Sequence, residues 1–77
     1  MQDSPLIKEI NNLPPIKRAI RLVGAVNMAN QLGLTRAAIY AWSKKDRIPP
    51  DYLLRVEKLS GVSRFELAPD IYGVEQI

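Results

Sequence analysis

Apolar residues recur along this chain at the three- and four-residue spacings of helices, and no period-two alternation runs for a useful length outside the last few residues. Ser4-Pro5 reads as an N-cap followed by proline at a first helical position. Leu6, Ile7, Ile10 and Leu13 follow on one stripe, which predicts a short helix over about Pro5 to Asn12. Asn11-Asn12 and Pro14-Pro15 end it, and the pattern leaves open whether it packs on the domain or extends as an arm. Pro15 starts a second helix to about Val23, with Ile16, Ile20 and Val23 on its stripe and Lys17, Arg18 and Arg21 off it. Gly24 interrupts, Ala25 to Leu32 forms a third helix, and Gly33 stops it through positive φ. The Thr35 hydroxyl caps a fourth helix reaching about Ser43.

Lys44-Lys45-Asp46-Arg47 reads as a polar turn, and Ile48-Pro49-Pro50 as an extended step into another helix. That helix carries the stripe Leu53, Val56 and Leu59 and stops at Gly61. Asp51 suits either a cap or the positive end of its dipole. Ser63 with Glu66 matches a capping box for a short last helix, and Pro69 is expected to end regular structure. The pattern therefore predicts an all-α fold, a compact bundle of four to five short helices. Residues 1–13 form an N-terminal extension, 14–68 the helical domain and 69–77 a C-terminal tail.

Composition narrows the classes. Seventy-seven residues make one domain at most, and 47% apolar with 25% charged is ordinary globular usage rather than disorder. Without cysteine or histidine the commonest thiol nucleophile, general base and metal ligands are missing. The acids are scattered, and the four isolated glycines form no phosphate cradle, so no enzyme, metal site or cofactor is expected. No apolar run approaches the roughly 20 residues of a membrane span, and the start MQDSPLIKEI lacks the basic and apolar regions of a secretory signal. A cytoplasmic protein with no membrane partner is the expectation.

Net charge is +3, and its distribution says more than its sum. From Lys17 to Arg47 seven basic residues face one acid, Asp46, a surplus of six positive charges; the remainder holds four basic residues and seven acids. A phosphate-facing surface produces that asymmetry.

The cationic section also carries a helix-turn-helix pattern, in which two helices meet steeply across a short turn. Ala29 supplies the small residue where the backbones approach, and Gly33, four residues on, supplies the turn. Met28, Leu32, Leu34, Ile39 and Trp42 are spaced to be buried, while Thr35, Arg36, Ala37, Tyr40, Ala41 and Lys44 stay outward. Trp42 lies on the apolar stripe with Ile39 and is expected in the core rather than as a stacking platform. Phe65 and Leu67 likewise read as core or dimer contacts.

From Gly24 through Ala29, Leu32-Gly33, Thr35, Ala38-Ile39 and Trp42, and on into Ile48-Pro49, the chain resembles the Cro-like phage and prophage repressors, including the YdaS group. Glu66-Leu67-Ala68-Pro69-Asp70-Ile71-Tyr72 is similar to that group's ending, with Ala68 where arginine is common, which removes one possible phosphate contact. The resemblance spans about Ile20 to Tyr72 and has no counterpart before Pro14. It implies a lambda-repressor-like DNA-binding fold and a homodimeric repressor on a pseudo-palindromic double-stranded operator beside its own promoter. By position, Arg36, Ala37, Tyr40 and Ala41 would contact bases, Arg36 by bidentate bonding to guanine. Thr35, Lys44, Lys45, Asn27, Gln31 and Arg18 would contact the backbone, on a motif core of Ala29, Gly33, Leu34, Ile39 and Trp42. Dimerisation would use apolar residues near the C-terminus: Phe65, Leu67, Ile71, Tyr72, Val74 and Ile77. The alternatives are an antitoxin-like or anti-regulator module whose main partner is a protein, and an activator that also touches polymerase.

Overall fold

The computed structural model describes residues 10–72, so most of the helix expected over Pro5 to Asn12, and the dimer candidates Val74 and Ile77, lie outside the described residues. Ile10 and Asn11 are helical. Six helices follow: α1 Pro15–Val23, α2 Ala25–Leu32, α3 Arg36–Lys45, α4 Pro50–Ser60, α5 Arg64–Leu67 and α6 Pro69–Tyr72. The all-α expectation holds, with the count exceeding four or five because the C-terminal end contributes two single turns.

Local chemistry sets the boundaries. Pro15 occupies the first turn of α1, where its missing N–H costs nothing. Gly24, at φ 91°, is the whole joint between α1 and α2: its N–H donates to the Ile20 carbonyl at 2.7 Å, and its carbonyl accepts from the Met28 N–H at 2.8 Å. Gly33 adopts the left-handed conformation at φ 71°, which lets the Leu34 N–H reach back to the Ala29 carbonyl at 2.8 Å and close α2. Thr35 caps α3 as expected, its Oγ1 accepting from the Ala38 N–H at 3.2 Å.

The sequence expectations fail where tertiary context intervenes. Helix α3 continues past Ser43 through Lys44 and Lys45, because Asp46 at φ 56° closes it with the Arg47 N–H on the Trp42 carbonyl at 3.0 Å. Half of the expected polar turn is thus helix. Asp51 makes no capping hydrogen bond and acts as a charge in the first turn of α4. Leu59 leaves the stripe of α4 and is 37% exposed, whereas Leu53 and Val56 are fully buried.

Ser63 caps α5 through the Phe65 N–H at 3.1 Å, but Glu66 does not complete the box: it pairs with Arg18 across the molecule. Pro69 opens α6 instead of ending the structure. Ala68, read as a lost phosphate contact, is buried in the core, and so is Leu67, which removes it from any dimer contact.

The core gathers Ile16 and Ala19 from α1, Met28, Ala29 and Leu32 from α2, Ile39 and Trp42 from α3, and Leu53 and Val56 from α4. Ile48, Val62, Leu67 and Ala68 complete it, and no polar or charged residue is buried with them among the described residues. Helix α1 touches each of α2, α3, α4 and α5, with Ala19 giving the close approach that a larger side chain would block.

Ion pairs tie the C-terminal turns to this frame. Arg18 of α1 holds Glu66 of α5, Arg47 holds Asp70 of α6 at 3.0 Å, and Glu57 of α4 holds Arg64 at 3.1 Å. The Arg64 backbone N–H also donates to Glu57 at 2.9 Å. That backbone bond, with the Arg64 guanidinium, holds the Glu57 carboxyl below its ordinary range despite the opposing effect of desolvation.

Three outcomes follow for stability. Ile39→Ala should lose about 2–5 kcal/mol in urea unfolding, since Ile39 is fully buried. Gly33→Ala should lose about 1–2 kcal/mol, all of it backbone strain, because an added Cβ would meet nothing within 4 Å. A depressed folded-state pKa stabilises above the ordinary carboxylate range and loses that contribution as pH falls through the depressed value. The parent protein should therefore lose more stability between about pH 5 and pH 3 than Glu57→Gln does in the same titration.

Candidate nucleic-acid interface

Helix α3 has two unlike sides. Ile39 and Trp42 are buried, and the Trp42 ring packs on Tyr52 of α4 with centroids 5.5 Å apart. That contact places Trp42 in the core, as the stripe predicted. Arg36, Ala37, Tyr40 and Lys44 are exposed on the opposite side, at the i, i+1, i+4 and i+8 positions of one helical face. Ala41 sits half-buried at its edge. Lys45 is exposed and Ser43 half-buried, each flanking the face on one side.

The exposed face of α3 stands between two shallow grooves. On one side Tyr40 and Ser43 form a wall opposite Lys17 and Arg21 of α1, with Ile20 and Gly24 on the floor. On the other, Ala38, Ala41 and Lys45 face Arg47 and Pro49. Each groove has two cationic residues and no carboxylate among its described lining residues. Among the described residues Lys17, Arg36, Lys44 and Lys45 form no ion pair, whereas Arg18 and Arg47 are held by Glu66 and Asp70.

This arrangement gathers some of the candidates and separates others. Arg36, Ala37, Tyr40, Ala41, Lys44 and Lys45 share α3. Thr35 is exposed at its start, its oxygen already accepting the Ala38 N–H while its hydroxyl proton can still be donated. Ala29, Gly33, Leu34, Ile39 and Trp42 form the motif frame, with Leu34 half-buried against the core. Asn27 is exposed at the joint of α1 and α2, its Nδ2 donating to the Val23 carbonyl at 3.4 Å. Gln31 lines a separate depression with Arg55, Lys58 and Leu59, away from α3. Arg18 lies on the flank of α1 that meets α5.

Lys17 and Arg21 are the cations that line the groove beside α3, and the sequence reading chose Arg18 instead. Lys17 and Arg21 are four residues apart, so they share a flank, and Arg18 is a third of a turn away from Lys17. Spacing separates the flanks but does not say which one meets α3.

Among the described residues no helix is long and apolar enough to cross a membrane. No group of three or more histidine, cysteine, aspartate or glutamate side chains among them could hold a metal ion. A family model described as bacterial toxin YdaS matches residues 16–76, from the second residue of α1 through α6. No curated protein and no solved structure matches the chain.

Proposed function

The chain belongs to the YdaS family, and we propose that it is a sequence-specific DNA-binding regulator of transcription that inserts α3 into the major groove. One observation carries this reading: an exposed helical face between a groove lined by Lys17 and Arg21 and a groove lined by Lys45 and Arg47, with no carboxylate among the described lining residues. A helix about 10–12 Å across fills a major groove about 12 Å wide, which brings a phosphate strand along each of its flanks. Lys17 and Arg21 meet one strand, and Lys45 meets the other beside Arg47. Lys44 and Thr35 grip the backbone at the two ends of the helix. Arg36 reads a base edge, and Ala37, Tyr40 and Ala41 contact bases beside it.

The same reading makes the protein a cytoplasmic repressor that uses no cofactor, catalyses no reaction, and binds as a homodimer to a pseudo-palindromic operator. Two half-sites about one helical turn apart demand two copies of α3. Ile71 of α6, 43% exposed, and the half-buried Phe65 and Tyr72 are the apolar residues at that end open to a second copy.

A second reading makes a protein the main partner, as for an antitoxin-like or anti-regulator module. Salt separates the two. About five phosphate contacts should cost roughly several hundredfold in affinity between 50 and 200 mM salt, whereas docking through an apolar patch should barely respond.

Two substitutions test the assignment on α3 and α1. Arg36→Ala should weaken operator binding by about 1–3 kcal/mol and relax one base position, measured by fluorescence anisotropy against the operator and its single-base variants. Lys17→Ala should lower the slope of log affinity against log salt by about 0.9, the value of one phosphate contact. Arg18→Ala should leave that slope unchanged, and an equal fall in both variants would sink the placement of DNA against the Lys17 flank.

A further inference from the structure

We propose that α3 reads its operator chiefly through thymine methyl groups, with a single guanine contact from Arg36. This inference rests on the DNA-binding reading and names what that surface recognises. Base edges in the major groove select side chains by chemistry: arginine or lysine for guanine, asparagine or glutamine for adenine, a carboxylate for cytosine, and apolar groups for the thymine methyl. From Thr35 to Lys45 the chain has no asparagine, glutamine, aspartate or glutamate, so it carries neither an adenine amide nor a cytosine carboxylate. The neighbouring amides Asn27, Asn30 and Gln31 lie on α2 and not on α3. Asn27 bonds back to α1, and Gln31 lines the depression beside α4.

What remains between Arg36 and Lys44 is an apolar ridge of Ala37, Tyr40 and Ala41. Tyr40 is 55% exposed and makes no ring contact or hydrogen bond among the described residues. Folding leaves its apolar surface in water, and burying that surface against a base is favourable. The flanking cations fix the helix on the phosphates without reading sequence, and the Thr35 and Ser43 hydroxyls do not choose between bases, so discrimination falls chiefly to one guanidinium and this ridge.

The test starts from duplexes selected from random DNA by the full chain. Each thymine of the recovered half-site is then replaced in turn by deoxyuridine, which removes only the 5-methyl group. Affinity should fall roughly fourfold at each thymine under the ridge, the ratio for burying one methyl-sized group, and should stay unchanged at thymines outside the half-site core. Tyr40→Ala, at an exposed position, should erase the uracil effect at one of those thymines while leaving the others. Equal affinity for the uracil and thymine duplexes at every position would overturn the inference. If Arg36→Ala still lost affinity in that case, α3 would remain the reading helix and only the methyl readout would fail. Recovery of no preferred duplex, with no binding at low salt, would overturn the DNA-binding reading along with it.

Discussion

The burial of Ile39 and Trp42 is the constraint on which the rest of this molecule depends. Both lie on one side of α3, and both sit in a core closed by Ala19, Met28, Leu53 and Val56. Once that side is fixed inward, helical geometry leaves Arg36, Ala37, Tyr40 and Lys44 no direction but outward. The Trp42–Tyr52 contact ties the same side to α4, so the angle of α3 is held from two directions. The joints add to this. Gly24 and Gly33 turn the chain with almost no intervening residues, which removes the slack that would let α2 and α3 slide.

Electrostatics reinforces the packing by sorting the cations. Three of the acids in the C-terminal half, Glu57, Glu66 and Asp70, each take an arginine, and each of these pairs bridges separate elements. Exposed pairs such as Arg47–Asp70 contribute only ~0.2–1 kcal/mol each, so their main effect is on where charge is left. Among the described residues Lys17 and Lys45 form no ion pair, and no carboxylate is among the described residues that line their grooves. The charge asymmetry along the sequence thus becomes an asymmetry between faces of the fold.

Features that depend on a few neighbouring residues were legible in the sequence. Gly33 needs only its own backbone to signal the turn, and Thr35 needs only the amide three residues on. Ile39 and Trp42 needed only helical spacing. Other features depend on a partner distant in the chain. Glu66 has the spacing of a capping box, yet a charge-assisted bond to Arg18 supplies a better partner than the Ser63 amide. Ala68 looked like a missing phosphate ligand until its place against the core was known, and Pro69 looked like a stop although it suits the first turn of α6. Which flank of α1 meets α3 is likewise decided by packing and not by spacing: Lys17 and Arg21 line the groove beside α3, whereas Arg18 meets Glu66.

On the proposed function, DNA meets the outward face of α3 and the grooves on either side of it. Mapping backbone amide chemical shifts while titrating duplex DNA into the full chain tests this placement. The largest shifts should fall on Thr35 to Lys45 and on Lys17 and Arg21, with little change at Leu54 or Leu59 on the exposed side of α4. Shifts concentrated on α4 to α6, or none at all at low salt, would contradict it.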